Sequence, residues 1–320
     1  MLEQPVSKLF VRCAFALMLG ASPALAAEQF ITVLTGSASG VYYPLGVALA
    51  SAVGKLMPQA KTSVQATKGA AENLNLLQAA RGEVAFTLGD SLSDAWKGNG
   101  EAGFKTPLKK LRGIATLYPN YVQVVARADS GIRRLADLQG KRVSVGALKS
   151  PTELDARAIF AAAGLSYKAF ARVEYLPLGE SIELLKNRQI DAMLLSASLG
   201  ISAIRDLAAA MEIVVVPIPP DVVKRTNDPA YLAGIIPART YRGQDADLPA
   251  VVVENYLVTH AGVANDVVYN ITKALWASLD QMAAAHAAAK AIDRRHPLEG
   301  MPVPLHPGAQ RYYEEVGLLK

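Results

Sequence analysis

Short apolar stretches alternate with amphipathic stretches along most of this chain, and this alternation limits its fold more than any other feature. Residues 30–34 and 84–88 predict buried strands, and residues 62–66 predict a strand of alternating character. Residues 45–56 carry apolar side chains at helical spacing, and a second helix is predicted around 74–80. Because a strand–loop–helix unit repeats, we expect a parallel sheet with helices on its faces.

The same pattern begins again after residues 118–120, and a proline-rich passage interrupts it over 217–249. The further predicted strands cover 122–127, 142–146, 173–177, 190–195, 212–217 and 251–259, and the helices cover 135–138, 151–163, 180–188, 200–210 and 265–290. Two α/β lobes are the simplest architecture, with the chain returning to the first lobe at its end. We expect residues 27–117 and 251–320 in lobe 1 and residues 118–250 in lobe 2.

The first 26 residues have the composition of an export signal. Lys8 and Arg12 supply positive charge, residues 13–19 are apolar, and small residues allow signal-peptidase cleavage near Ala26. The apolar run is shorter than the ~20 residues that a membrane-spanning helix needs, so a buried or membrane-anchoring helix is the less favoured interpretation. We therefore predict a signal peptide over 1–26 and an exported mature chain.

Cysteine content and charge exclude several kinds of site. Cys13, the only cysteine of the sequence, lies in the predicted signal, so the mature chain has no thiol for a disulfide or a zinc cluster. The net charge of +5 is spread along the chain, whereas nucleic-acid binding usually needs a concentrated basic stripe. We expect no nucleic-acid partner, no metal and no cofactor, while a small anionic ligand remains compatible with this charge.

Three loops follow predicted strands and are candidates for binding, because ligands of open α/β sheets bind beyond the carboxyl ends of the strands. Loop one, residues 35–44, offers Gly36 and Gly40 for close backbone approach, the Ser37 hydroxyl, and Tyr42 as a wall. Backbone N–H groups at the start of the next helix attract anions. An ordinary strand-to-helix connection explains the same residues equally well.

Loop two, residues 67–73, contains Lys68, Gly69 and Asn73. Lys68 could face an anionic ligand, although a lone lysine is more often a solvated surface cation. Asn73 can donate and accept hydrogen bonds at the same time. After the third strand, Asp90 could bind an amino group of a ligand or cap the helix that follows, and the sequence favours neither.

Loop three precedes the first helix of lobe 2. Ser150, Pro151 and Glu153 form a capping box with proline at the first helical position, which needs no ligand to explain it. Lys149 and the Thr152 hydroxyl are still expected to face the crevice if the sheet is parallel.

Five segments, in order along the mature chain, share the pattern of a known family. They cover residues 35–46, 69–74, 125–143, 267–275 and 306–313, and they begin with Thr-Gly-Ser, Gly-Ala-Ala, Val-Ala-Arg, Val-Val-Tyr and His-Pro-Gly. Together they resemble the solute receptors of TAXI-type TRAP transporters. Each segment alone is weakly specific, but the ordered set covers essentially the whole mature chain.

This resemblance implies a type II periplasmic binding-protein fold, in which two α/β lobes joined by a hinge close over a small ligand. It implies a periplasmic receptor without catalytic residues that delivers its ligand to the TRAP membrane permease subunits of an ion-coupled transporter. Family members with known ligands bind glutamate, 2-oxoglutarate or similar small carboxylates. By position, the ligand-binding candidates are Gly36, Ser37, Gly40, Tyr42, Gly69, Asn73, Asp90, Thr152 and Glu153, and the loops themselves add Lys68, Lys149 and Ser150.

The sequence departs from the family pattern within the site loops. The family usually has Gly-Ser-Gly-Thr before the second-lobe helix, and here Lys149 and Pro151 replace the two glycines. Pro151 removes an N–H donor, and Lys149 adds a cation nearby. Residues 88–90 lack the usual Gln or Ser before Asp, and residues 196–200 lack the usual Gly-x-Pro. These departures bear on the ligand more than on the fold.

Two other functions compete with transport. A hydrolase would pair Ser37 with a distant histidine, but the chain has no Gly-x-Ser-x-Gly elbow and no His-Glu-x-x-His motif. The histidines all lie in the last quarter, at His260, His286, His296 and His306. A receptor that presents its ligand to a sensor kinase would have the same fold as a transport receptor, and the sequence does not separate the two.

Overall fold

The computed structural model describes residues 1–2, 29–38 and 40–319. The predicted signal peptide over 1–26 lies outside the described residues apart from its first two positions, and so does Ser39 of loop one. Within the described part of the chain, no helix is both long and apolar enough to cross a membrane.

The described residues fold into a ten-stranded mixed sheet with helices on both faces. The strands are β1 (Gln29–Leu34), β2 (Ala60–Gln65), β3 (Val84–Leu88), β4 (Leu111–Arg127), β5 (Arg142–Ser144), β6 (Arg172–Glu174), β7 (Ala192–Ala197), β8 (Ile213–Val216), β9 (Tyr231–Ile236) and β10 (Leu248–His260). The helices are α1 (Tyr42–Leu56), α2 (Ala70–Gln78), α3 (Gly89–Lys97), α4 (Pro151–Ala162), α5 (Leu178–Lys186), α6 (Ser202–Ala210), α7 (Pro220–Arg225), α8 (Asn265–Ala277), α9 (Leu279–Ala285) and α10 (Pro307–Glu315).

The strand order is β2-β1-β3-β10-β4-β7-β5-β6, with β8 paired to β4 and β9 paired to β10. β1 is parallel to β2 and β3, and β5 is parallel to β6 and β7. β4 and β10 run antiparallel to each other and to their outer neighbours. The predicted parallel sheet is therefore confirmed within each half and wrong at the centre. There, β4 carries the chain from one half to the other and β10 carries it back.

Two α/β lobes lie on either side of β4 and β10. Lobe 1 contains β1 to β3, α1 to α3 and α8 to α10, and lobe 2 contains β5 to β9 and α4 to α7. In each lobe, apolar side chains pack helices against both faces of the sheet. The exact lobe boundaries near 118 and 250 stay a prediction, and both positions lie within the two long central strands.

β4 is longer than the sequence predicts, because it runs through the predicted break at 118–120. Pro119 lies in the middle of this 17-residue strand, opposite Glu254 of β10. The pairing register of β10 shifts between Glu254 and Tyr256, directly beside this proline. Because a bulge tolerates a residue that has no N–H to donate, Pro119 is accommodated without ending the strand.

The proline-rich passage contains two elements that the sequence analysis does not predict, α7 and β9. Pro220 occupies the first turn of α7, where the missing N–H would have no partner within the helix. Pro229 and Pro237 lie close to the two ends of β9, a short strand in which only the first and last residues, Tyr231 and Ile236, are buried.

The alanine-rich helix predicted over 265–290 is also wrong in its length. α8 ends at Ala277, and a separate helix, α9, begins at Leu279. The Ser278 hydroxyl donates to the Leu275 carbonyl at 3.1 Å. The Arg294 guanidinium donates to the Trp276 carbonyl. These donors satisfy carbonyls at the end of α8, so the helix can stop there in spite of its favourable composition.

Gly308 allows α10 to pack closely against α8. A methyl group at this position would overlap the backbone of Asn265 and lie 2.9 Å from the Tyr269 nitrogen. Farther along the same contact, the Trp276 indole donates to the Tyr313 hydroxyl at 3.1 Å, so the two helices are joined by a buried hydrogen bond as well.

Gly308→Ala is expected to destabilise the protein by about 1–3 kcal/mol, because the obstructing atoms belong to backbone and cannot rotate away. Gly179→Ala in α5 is the matched control, since a methyl group there meets no atom within 4 Å. The control should leave the free energy of unfolding unchanged or raise it by up to about 1 kcal/mol. Urea unfolding followed by circular dichroism measures both, and equal stability of the two variants would contradict the close helix contact.

Candidate functional site

A pocket of about 320 Å³ lies between the two lobes, where three helices begin. α1 starts at Tyr42, α2 at Ala70 and α4 at Pro151, and all three residues line the pocket. The remaining lining residues are Gly36, Ser37, Gly40, Val41, Lys68, Gly69, Leu88, Tyr118, Asn120 and Asn255. We call this cavity the loop pocket. Because the first N–H groups of each helix have no partner within their own helix, its walls favour negative charge.

Loop one contributes Tyr42 as a wall of the loop pocket, and residues outside the loop fix its position. The Tyr42 hydroxyl donates to Asn255 Oδ1 at 2.7 Å, and its ring stacks on Phe86 with the ring centres 5.4 Å apart. Asn255 in turn donates to the Tyr118 carbonyl at 2.8 Å. Burial raises the pKa of Tyr42 well above its ordinary value, and neighbouring Tyr118 and Asp90 act in the same direction. Tyr42 is therefore a neutral, fixed wall of the loop pocket.

The backbone of loop one also approaches the pocket, as the sequence predicts. Gly36 is buried and lies against Tyr42, while the Gly40 N–H donates to the Ser37 carbonyl at 2.9 Å. Ser37 is exposed at the pocket rim. All four residues that the sequence singles out in this loop line the loop pocket.

Loop two brings a cation to the same pocket. Lys68 is exposed and lines the loop pocket, and its backbone N–H donates to Glu72 at 2.7 Å. Gly69 has a φ of +107°, a conformation that favours glycine, and it directly precedes the first residue of α2. The loop therefore turns sharply and presents the start of α2 to the pocket.

Asn73 supports the loops from below and does not line the pocket. Its amide donates to the carbonyls of Thr35 at 2.6 Å and Phe86 at 2.8 Å, and its oxygen accepts from the Thr67 hydroxyl at 2.7 Å. Asn73 is fully buried, so one side chain ties loop one, loop two and the end of β3 together.

Loop three contributes less than the sequence suggests, since only Pro151 of that loop lines the pocket. The Ser150 hydroxyl accepts the Glu153 N–H at 3.2 Å, which confirms the predicted cap. The reciprocal half of the capping box is wrong, because the buried Glu153 carboxylate pairs with Arg157 at 2.8 Å instead. Lys149 is exposed at a φ of 61°.

Thr152 and Asp90 lie behind the pocket walls. Thr152 is half-buried and packs against the Cα of Gly146. Asp90 is buried and does not take the capping role that was one of its two interpretations, since α3 begins at Gly89 and both Asp90 carboxylate oxygens lack a hydrogen-bond partner among the described residues. Burial raises the pKa of Asp90 to about 7. Asp90 is therefore poised between its protonated and ionised forms near neutral pH.

The pocket also uses residues that the sequence analysis did not select. They are Val41, Ala70, Leu88, Tyr118, Asn120 and Asn255. Asn255 carried a usable signal, because it and Glu254 are polar residues that interrupt the apolar middle of β10. Tyr118 and Asn120 flank the proline that suggested a break in the chain, and only the continuous β4 shows that they form the floor of the pocket.

A second pocket, of about 470 Å³, shares Tyr118 with the loop pocket. Its walls come from β4, from Ser198 and Leu199 after β7, and from His286 and Lys290 after α9. Two residues of the segment that departs from the family pattern over 196–200 therefore line this second pocket.

The structure gives no geometric support to a hydrolase. Among the described residues, no histidine lines the pocket that contains Ser37. His260, His286 and His306 each accept a backbone N–H through Nδ1 and so stabilise local turns. Burial lowers the pKa values of His260 and His306. The described residues also contain no group of three His, Cys, Asp or Glu side chains arranged to hold a metal ion.

Comparison with known proteins identifies the family. The pattern of the NMT1-like family matches residues 33–317, nearly the whole of the described chain. The chain belongs to the NMT1-like family.

Solved structures place this NMT1-like chain among the periplasmic solute-binding folds. It is similar to PhnD1 from Prochlorococcus marinus in complex with methylphosphonate, with 11% identity over 91% of this chain and 100% of that one and a TM-score of 0.53. A TctC solute-binding protein from Polaromonas matches with 16% identity over 92% and 100% of the two chains and a TM-score of 0.50. The periplasmic aliphatic sulphonate-binding protein SsuA from Escherichia coli matches with 13% identity over 91% and 79%, again with a TM-score of 0.50. The predicted two-lobed fold is confirmed.

Asn73→Ala is expected to lower the free energy of unfolding by about 1–3 kcal/mol, because it leaves buried carbonyls and the Thr67 hydroxyl without their partner. Asn75→Ala is the matched control, since Asn75 is exposed on the same helix and only bonds the Ala71 carbonyl. The control should stay within about 0.5 kcal/mol of the unsubstituted protein. Equal chemical-denaturation curves for the two variants would show that Asn73 does not hold the loops.

Proposed function

We propose that this NMT1-like protein is a periplasmic solute-binding receptor of a TAXI-type TRAP transporter. In this role it captures a small carboxylate, such as glutamate or 2-oxoglutarate, in the cleft between its lobes. It then delivers the ligand, chemically unchanged, to the ion-coupled membrane permease subunits.

The observation that carries this proposal is the convergence of three helix starts on the loop pocket. α1 and α2 belong to lobe 1 and α4 belongs to lobe 2, so an anion bound there would contact both lobes. All three helix starts present the positive end of a helix dipole, and α1 and α2 also offer unpaired N–H groups. α4 offers fewer, because Pro151 has no N–H and the Glu153 N–H bonds the Ser150 hydroxyl. An anion in the pocket would therefore favour the closed arrangement by the contacts that it gains there.

The side chains around the loop pocket suit an organic carboxylate. Lys68 at the rim supplies positive charge, Asn120 has an amide, and the Tyr42 ring and Leu88 give apolar wall for a short carbon chain. The pocket volume of about 320 Å³ lies at the lower end of the range for small-molecule sites, roughly 300–1,000 Å³, which fits a small ligand.

The fold neighbours are consistent with an oxyanion ligand. The solved PhnD1 structure holds methylphosphonate, and SsuA is named for aliphatic sulphonates. We assign this chain a carboxylate because the ordered segments along its length resemble the TAXI receptors. Direct ligand contacts are proposed for Gly36, Ser37, Gly40, Tyr42, Lys68 and Gly69, with Lys149, Ser150 and Thr152 near the lobe 2 edge and Asn73, Asp90 and Glu153 in support.

A thermal-shift screen of the purified mature protein tests the ligand class. Amino acids, dicarboxylates and 2-keto acids are compared with methylphosphonate and methanesulphonate at equal concentration, and at least one carboxylate is expected to raise Tm. Chromatography of the released ligand should recover it unchanged. Stabilisation by the phosphonate or sulphonate alone would overturn the carboxylate assignment, and conversion of the ligand would overturn the receptor.

Lys68→Gln should weaken binding of the best carboxylate about two- to fivefold in calorimetry, because it removes a solvent-exposed positive charge from the pocket rim. The loss should shrink at high salt, since screening weakens exposed charges. Lys55→Gln, at the far end of α1, removes an exposed lysine of the same lobe and should leave Kd unchanged. Equal effects of the two substitutions would remove Lys68 from the site.

A further inference from the structure

Two aspartates that the sequence places far apart meet where the lobes touch. Asp90 lies in the first turn of α3 in lobe 1, and Asp155 lies in α4 of lobe 2. The two helices contact each other across the cleft. Asp90 is 3% exposed and Asp155 is 1% exposed, so both carboxyl groups are shielded from water in this arrangement of the lobes.

Among the described residues, neither carboxyl group is paired with a positive side chain. All four carboxylate oxygens lack a hydrogen-bond partner among the described residues. The nearest positive side chain of α3, Lys97, is engaged with Asp228 at 2.6 Å, and the Ser93 hydroxyl bonds Asp228 as well. Arg157 of α4 pairs with Glu153. The local charge around the two aspartates is therefore negative whenever they ionise.

The titratable and polar groups that act on the two aspartates come from several neighbouring elements. They are Ser91 and Asp94 on α3, Tyr42 on α1, Ser196 on β7, Asp228 before β9 and Tyr231 on β9. Asp94 and Asp228 oppose ionisation of Asp90 through their negative charge, and Ser91 partly counteracts them. For Asp155, Asp90 and Asp94 oppose ionisation, while Ser196 and Tyr231 partly counteract them.

Burial is the main cause of a raised pKa in both groups. It raises the pKa of Asp90 to about 7, and it raises the pKa of Asp155 well above the ordinary value. Each buried carboxylate, when ionised, would oppose the charge of the other, as the effect of Asp90 on Asp155 indicates. The closed arrangement is therefore most stable when both carboxyl groups are protonated.

We propose that Asp90 and Asp155 form a proton-dependent latch between the two lobes, which holds them closed while the pair is protonated and releases them when it ionises. The latch lies beside the loop pocket, because α3 follows Leu88 directly and α4 begins at Pro151, and both of these residues line that pocket. Opening of the latch would therefore open the pocket.

The direction of the pH dependence follows from the raised pKa values. In the open form the carboxyl groups face water and titrate near the ordinary value, about 4, so the closed form binds more protons. The contribution of the latch to closure is full below about pH 4 and is lost as pH rises through the closed-state pKa, which for Asp90 is about 7. A single carboxyl shifted in this way lowers the closed-to-open ratio roughly twentyfold between about pH 5.5 and 7.5. Acid favours retention of a ligand, and neutral or alkaline conditions favour its release.

A two-dye distance measurement without ligand tests the latch separately from the transport function. Exposed Lys105 of lobe 1 and Lys168 of lobe 2 are replaced by cysteine in a Cys13→Ser background, which contains no other thiol. Fluorescence energy transfer between the dyes is then followed from pH 5 to pH 8.5. The unsubstituted aspartate pair should give efficient transfer in acid and a loss of transfer on going to alkaline pH.

Asp90→Asn combined with Asp155→Asn should keep the lobes closed across the whole pH range, because the amides have nearly the size of protonated carboxyls and cannot ionise. Glu254→Gln is the matched control. Burial raises the pKa of Glu254 to about 7 as well, but this residue lies on the central strand β10 beside Glu299 and is not among the charged groups that act on Asp90 or Asp155. The control should retain the pH response.

Three results would overturn the latch. They are a distance that does not change between pH 5.5 and 8 with the aspartates present, a pH response that persists in the double variant, and a response that Glu254→Gln abolishes. The first result decides even if the double variant does not fold, since it needs no substitution of the pair. A failed ligand screen with an intact pH response would count against the proposed function alone.

Discussion

The antiparallel pairing of β4 with β10 is the constraint on which the rest of this structure depends. Residues 111–122 of β4 lie opposite residues 251–260 of β10, so each strand belongs to the sheets of both lobes at once. Every other strand is attached to one of these two directly or through a neighbour. Both lobes are therefore built on the same pair of strands. The cleft exists because the chain crosses twice at the same place.

The preference of the loop pocket for anions comes from backbone N–H groups more than from charged side chains. Three helices begin at its walls, and Lys68 is the single cationic side chain among the described residues that line it. A site built in this way presents N–H groups that are already oriented, so little order is lost when an anion binds. The buried bonds of Tyr42, Asn255 and Asn73 keep those helix starts in place.

Burial has opposite consequences at Tyr42 and at the pair Asp90 and Asp155. At Tyr42 it favours a neutral hydroxyl that already has a hydrogen-bond partner, so the group adds rigidity. At Asp90 and Asp155 it acts on carboxyl groups that have no partner, so the same loss of water makes the closed arrangement sensitive to protonation. A partner within hydrogen-bond distance is what separates a fixed wall from a titratable contact.

The sequence by itself determined the repeating strand–helix units, because periodicity of 2 and 3.6 residues is a local property. It also drew attention to the glycines of loops one and two and to Lys68, which line the loop pocket. It could not determine that β4 continues through Pro119, since the bulge that accommodates this proline is formed with β10, more than a hundred residues away. For the same reason the sequence could not show that Asn73 bonds the carbonyls of loop one and β3, or that Asp90 is buried without a hydrogen-bond partner among the described residues. Which groups share a pocket or lose water together depends on contacts between distant segments, and only the tertiary structure decides those contacts.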